Sequence, residues 1–148
     1  MKPSTSLLLA RLAILPVFLW NIQCAFAFLF WPARFTTAFE LSGTPGEAAL
    51  RGVGVLFLMW NIPYAVALWH PVRYRITLYE ATAMQTIGLL GETLIWLSLP
   101  PAHSLLQSSL ARFIAFDGLG LILLLLASWL LHRSHFSARL FLLPIDPP

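Results

Sequence analysis

Four long apolar runs constrain this chain more than any other feature. They extend over Leu12–Trp31, Leu50–Trp69, Ala81–Leu99 and Leu110–Leu131. Each has roughly the 20 residues that an α-helix needs to cross a bilayer core. Lipid offers no water to the backbone, so spanning runs of this length are helices and not strands. Trp31-Pro32, Trp69-His70-Pro71 and Pro100-Pro101 close the first three runs. Tryptophan suits the headgroup interface, and proline stops a helix. The expected fold is therefore an all-α integral membrane protein: a single domain of four transmembrane helices (12–31, 50–69, 81–99, 110–131) in an antiparallel bundle.

Composition agrees. Of 148 residues, 59% are hydrophobic and 10% charged, with a mean hydropathy of +0.80; a soluble domain carries about 25% charged residues. This excludes a soluble enzyme, a disordered chain and a nucleic-acid-binding module. Lys2 and Ala25-Phe26-Ala27 have the look of a signal peptide. The apolar run continues past that cleavage-like site through Trp31, so it is read as a retained helix. Basic residues set the orientation. With the N-terminus inside, Lys2, Arg11, Arg73, Arg75, Arg133 and Arg139 are cytoplasmic and Arg34, Arg51 and Arg112 lie opposite, six against three. Both termini are thus expected in the cytoplasm, with the chain multi-pass in the inner (plasma) membrane.

The connections refine this plan. The short basic turn 72–80, where Glu80 balances Arg73 and Arg75, makes the second and third helices antiparallel neighbours. The 32–49 connection is expected to lie partly on the membrane surface through Phe35 and Phe39, with Ser42 to Glu47 signalling the start of the second helix. Residues 132–148 form an expected cytoplasmic tail ending in a frayed Pro144–Pro148 segment.

Two kinds of polar residue lie within the runs. Trp20-Asn21-Ile22 recurs as Trp60-Asn61-Ile62 at an offset of 40, inside segments that match at five of eight positions. Because the two helices run in opposite directions, Asn21 and Asn61 both fall near mid-bilayer. Their amides either line a polar cavity or bond between helices, a contact worth about 0.6 kcal/mol on average. Glu92 and Asp117 lie about 10 Å below the outer boundary at 1.5 Å per residue. Ionisable groups at such depth face the bundle interior or a wet cavity. Gln85, Gly88 and Glu92 form one stripe on the third helix, while Asp117, Gly120 and Ser128 share a face of the fourth. The glycines allow close helix approach. Glu92 and Asp117 either act as an acid/base or ligand-binding pair or neutralise Arg51 and Arg112, their candidate ion-pair partners.

Other signals are bland. Cys24 is the single cysteine and reads as a small hydrophobe. His70, His103, His132 and His135 fall at boundaries, so no axial ligand for a buried haem is available, and no metal motif is present. Phe and Trp residues are packing or lipid-facing groups that could also form a quinone or isoprenoid groove.

The stretch Gly43-Thr44-Pro45-Gly46-Glu47, continuing to Arg51-Gly52-Val53-Gly54, opens the second helix with Gly-x-x-Gly and then Arg-x-x-Gly. With the size and four-helix plan, it resembles the DoxX-like group of small bacterial membrane proteins. This chain has Trp20-Asn21-Ile22 where that group has a glycine-rich first helix. The resemblance implies a bacterial inner-membrane protein and adds little about substrate; some members of that group are linked to quinone-dependent redox complexes, and a bound lipid or quinone stays open.

Three functions remain open. The first is a non-catalytic accessory or self-associating subunit, a homo-oligomer or part of a larger membrane complex. The second is a membrane enzyme, or a binder of a lipid, sterol or isoprenoid, that uses Glu92 and Asp117. The third is a proton-coupled small transporter. The bilayer is the common partner; no nucleic acid and no dedicated cofactor or metal is expected.

Overall fold

The computed structural model describes residues 3–140, with side chains over 5–133. It contains four α-helices: α1 (Pro3–Phe30), α2 (Gly43–Trp69), α3 (Arg75–Ser98) and α4 (Ser104–Leu140). Two 3-10 turns, Pro32–Arg34 and Thr37–Phe39, join α1 to α2, and no strand occurs among the described residues. Stretches of α1 (Thr5–Phe30), α2 (Gly43–Trp69) and α4 (Ser104–Arg133) are long and apolar enough to cross a membrane.

Every helix outruns the apolar run that announces it. An apolar run marks only the part of a helix that suits lipid, whereas the hydrogen-bonded spiral continues until a cap or breaker stops it. Thus α2 starts at Gly43, behind an extended Ser42, and α4 reaches Leu140. The expected tail from residue 132 is helical over its first part; Pro144–Pro148 lies outside the described residues. Ser42 makes no side-chain cap, and Glu47 pairs with Arg51 at 3.4 Å. The surface role expected of Phe35 and Phe39 is corrected: both rings turn inward onto Phe28, at 5.2 and 5.7 Å between centroids. The 3-10 turns are tight enough to fold the connection back under the end of the bundle. The expected balance at the short basic turn is also absent, since Glu80 makes no ion pair with Arg73 or Arg75 among the described residues.

The helices form a ring in which α1 packs on α2 and α4, and α3 on α2 and α4. Arg11 meets Trp69 while Gly54 faces Ala25 and Leu29, and Gly120 faces Gln85 while Gly88 faces Asp117, so α1 runs opposite to α2 and α3 opposite to α4. At the end holding the start of α1 and the α2–α3 turn, here the proximal end, Arg11 donates to the Trp69 carbonyl and caps α2. At the distal end, His103 Nδ1 meets Glu40 Oε2 at 2.5 Å, and the Leu106 amide donates to Glu40 Oε1 at 3.2 Å. The α1–α2 connection is thereby tied to the start of α4.

Two clusters fill the interior. The proximal one is built largely of small and aliphatic groups, among them Ala10, Ala13, Ile14, Ala67, Ala81 and Ala127. The distal one is aromatic, with Phe28, Phe57, Phe35, Phe39 and Phe113 around Ala25. Within the distal cluster Gly54 lets α2 touch α1: a Cβ there would lie 3.0 Å from the Ala25 carbonyl oxygen and 3.1 Å from the Leu29 nitrogen. Many large apolar side chains point outward, as with Ile62 (64% exposed) and Ile122 (63%). An apolar exterior over long helices is what a lipid solvent selects.

Candidate binding site: a carboxyl-lined cavity

The site begins with the polar residues that α3 carries at helical spacing. Gln85 is buried, and both ends of its amide are used. Its Oε1 accepts from the Tyr64 hydroxyl of α2 at 2.6 Å, and its Nε2 donates to Asp117 Oδ1 of α4 at 2.8 Å. Three helices are thus joined by one relay, whose members would each be costly in an apolar interior if left single. Glycines make room for it. At Gly88 a Cβ would sit 2.3 Å from Asp117 Oδ2, and at Gly120 one would sit 2.6 Å from Gln85 Nε2. These glycines were expected to permit close backbone approach between helices; what comes nearest each is instead a polar side chain.

Beside this relay lies a cavity of about 360 Å³. Asn21, Tyr64, Gln85, Glu92 and Asp117 give it a polar side; Phe57, Trp60, Met84 and Ile95 are among its apolar walls. Glu92 sits one helical turn beyond Gly88, and its Oε2 is buried without a hydrogen-bond partner. Ile87 is 70% exposed and Trp60 45%, although both line the cavity. Its wall therefore reaches the outer face of the bundle between α2 and α3, the most sparsely packed of the four helix seams. No Lys, Arg or His lines it.

The expected arginine partners lie elsewhere. Arg51 pairs with Glu47, and Arg112 donates to Ser109 Oγ at 3.1 Å. One reason is reach: Glu47 stands one turn from Arg51 on the same exposed helix face, so that pair forms without desolvating a charge. Neutralisation of Glu92 and Asp117 by these arginines is therefore corrected. The two asparagines also part company. Asn61 Nδ2 donates to the Phe57 carbonyl of its own helix at 2.9 Å, leaving its Oδ1 buried and unpartnered. Asn21 lines the cavity, and no hydrogen bond joins the pair among the described residues. Short amide side chains reach a carbonyl four residues back more readily than a neighbouring helix. Ser128 likewise donates to the Leu124 carbonyl at 3.0 Å, away from the cavity.

Tyr64, Trp60 and Gly91 were missed as site residues. Tyr64 carried a signal: it is a tyrosine inside an apolar run, one turn after Trp60 and at the depth of Gln85. No group of three or more His, Cys, Asp or Glu side chains among the described residues could hold a metal ion. Compared with family models, curated proteins and solved structures, the chain matches none. The likeness to the DoxX-like group rests on the residues quoted for it alone.

Proposed function

We propose that the chain is a four-span membrane protein that takes a hydroxyl-bearing, lipid-like molecule into its bundle, such as a sterol, an isoprenoid alcohol or a quinol. The observation that carries this reading is the cavity of about 360 Å³ that reaches Glu92 and Asp117 with no basic residue at its wall. Its polar side is rich in acceptors, and the buried Glu92 Oε2 lacks a donor. A ligand that supplies an O–H there relieves an unpaired acceptor, while Phe57, Trp60 and Ile95 hold its apolar body. Access from the bilayer through the α2–α3 seam suits such a ligand.

The reading requires α3 to span, although α3 does not qualify by apolarity. Its length supports it: Arg75–Ser98 extends about 36 Å at 1.5 Å per residue, against a hydrocarbon core of about 30 Å. Its threonines are already satisfied. Thr82, Thr86 and Thr93 donate to the carbonyls four residues earlier at 2.7, 2.8 and 2.6 Å. What lowers the apolarity of α3 is the row of groups facing the site. The excess of basic residues at the proximal end supports placing that end in the cytoplasm; the bacterial inner membrane rests on the DoxX-like resemblance alone. The self-associating-subunit reading loses one of its warrants, because Gly88 and Gly120 serve packing inside a single chain.

Equilibrium binding of farnesol and farnesyl methyl ether to the purified protein tests the proposal. The ether, which cannot donate, should bind severalfold more weakly, as should farnesol to Glu92→Leu, in line with a net hydrogen bond worth about 0.5–1.5 kcal/mol. Equal affinities for alcohol and ether would falsify it.

A further inference from the structure

A second cavity, of about 210 Å³, lies at the distal end between α1, α4 and the connection before α2. Trp20, Phe28, Phe35, Phe39 and Phe113 give it an aromatic wall, and Cys24 borders it from α1. An apolar cavity of about 150 Å³ already accommodates a benzene-sized molecule, so this one has room for a length of acyl chain. It is distinct from the carboxyl site. Phe57 belongs to the wall of the first cavity and Phe113 to that of the second, and their rings stack at 6.1 Å between them.

One cation borders this aromatic pocket. Arg112 stands about 12 Å along α4 from Ser104, at 1.5 Å per residue. Its guanidinium donates to Ser109 Oγ at 3.1 Å, and Ser109 Oγ donates to the Ala38 carbonyl at 2.5 Å. No carboxylate pairs with Arg112 among the described residues: Glu40 is engaged by His103, and Glu47 by Arg51. An arginine at this depth of a membrane helix pairs with an anion or reaches for the headgroup layer. An aromatic pocket with an acid-free guanidinium at its rim has the two halves of one recognition chemistry.

We propose that this cavity binds an anionic amphiphile, its acyl chain among the aromatic rings and its carboxylate or phosphate on Arg112. Cys24, the single cysteine of the chain, reports occupancy. The full-length protein in detergent micelles is alkylated with N-ethylmaleimide in the presence of oleate, dioleoylphosphatidylglycerol or dioleoylphosphatidylcholine. An anionic amphiphile should slow alkylation about tenfold, and Arg112→Gln should abolish that protection, the order of effect expected for one charge-assisted pair. Protection by oleate alone identifies a free fatty acid as the source; protection by phosphatidylglycerol identifies a lipid phosphate. Ala27→Leu keeps Arg112 and fills the pocket, so bound oleate seen by native mass spectrometry of the parent protein should be lost. Equal protection by phosphatidylcholine, undiminished protection in Arg112→Gln, or oleate retained by Ala27→Leu would each overturn the assignment.

Discussion

The two ends of the bundle are packed by different rules. At the proximal end alanines at helical spacing, Ala10 and Ala13 on α1 with Ala127 on α4, let the helices close on one another around Ile14, Val17 and Leu124. At the distal end phenylalanines take the same role, meeting edge-on or stacked, as in Phe28 against Phe57 at 6.1 Å. Rigid rings cannot fill irregular space as small and branched aliphatic groups do. The carboxyl-lined cavity and the aromatic one accordingly have such rings in their walls. Helices in lipid gain little from hydrophobic burial and are held by close packing and interhelical hydrogen bonds. The Tyr64–Gln85–Asp117 relay lies where the two kinds of packing meet.

Five changes would break or sharpen this contrast. The largest effect is expected from Gly54→Leu, where the new side chain meets backbone of α1 that cannot swing aside. The yield of folded protein in detergent, read by size-exclusion chromatography, should collapse. Next comes Ala127→Leu in the closed half, which should destabilise by about 1–3 kcal/mol, as overpacking does. Gly91→Leu is its counterpart, because nothing lies within 4 Å of a Cβ at that position. It should leave thermal stability within about 0.5 kcal/mol of the parent, as permissive sites do, while removing farnesol binding. If both leucines cost the same stability in thermal unfolding, the contrast fails.

Gln85→Leu attacks the boundary itself. It leaves the Tyr64 hydroxyl only its longer contact to the Ala81 carbonyl at 3.2 Å and removes the donor to Asp117, at a cost of about 1–3 kcal/mol. Thermal unfolding should show this loss, and Gln85→Glu should recover only part of it, since its carboxyl has no second donor. The smallest effect lies at the distal latch. The hydrogen bond from His103, aided by the Leu106 amide, holds the Glu40 carboxyl below its ordinary value. A depressed carboxyl contributes stability above the pKa of the unfolded chain, about 4.3, and loses it as pH falls through the lower folded value. The difference in melting temperature between the parent and Glu40→Gln should therefore be present near pH 5 and vanish towards pH 3.

The sequence was informative about elements and depth, less so about partners. Four helices, their alternating direction and the facing of Gln85, Gly88, Asp117 and Gly120 follow from apolar runs and helical spacing. Helix ends were not legible in the same way, since hydropathy reports where lipid fits and not where hydrogen bonding stops. The turn of Phe35 and Phe39 inward depends on the path of two 3-10 turns, which no periodicity announces. The partners of Arg51 and Arg112 were hidden for a further reason. Depth along a helix says nothing of azimuth around it, and Glu47 and Ser109 each stand one turn from the arginine on its own helix.

The central claim, that a hydroxyl-bearing lipid-like ligand occupies the carboxyl cavity, is tested most directly by photocrosslinking. A diazirine-bearing isoprenoid alcohol, irradiated with the protein in liposomes, should form adducts on Trp60, Met84 or Ile95, and Gly91→Leu should abolish them. Adducts spread equally over outward-facing residues such as Leu125 and Trp129, unchanged by Gly91→Leu, would contradict the account.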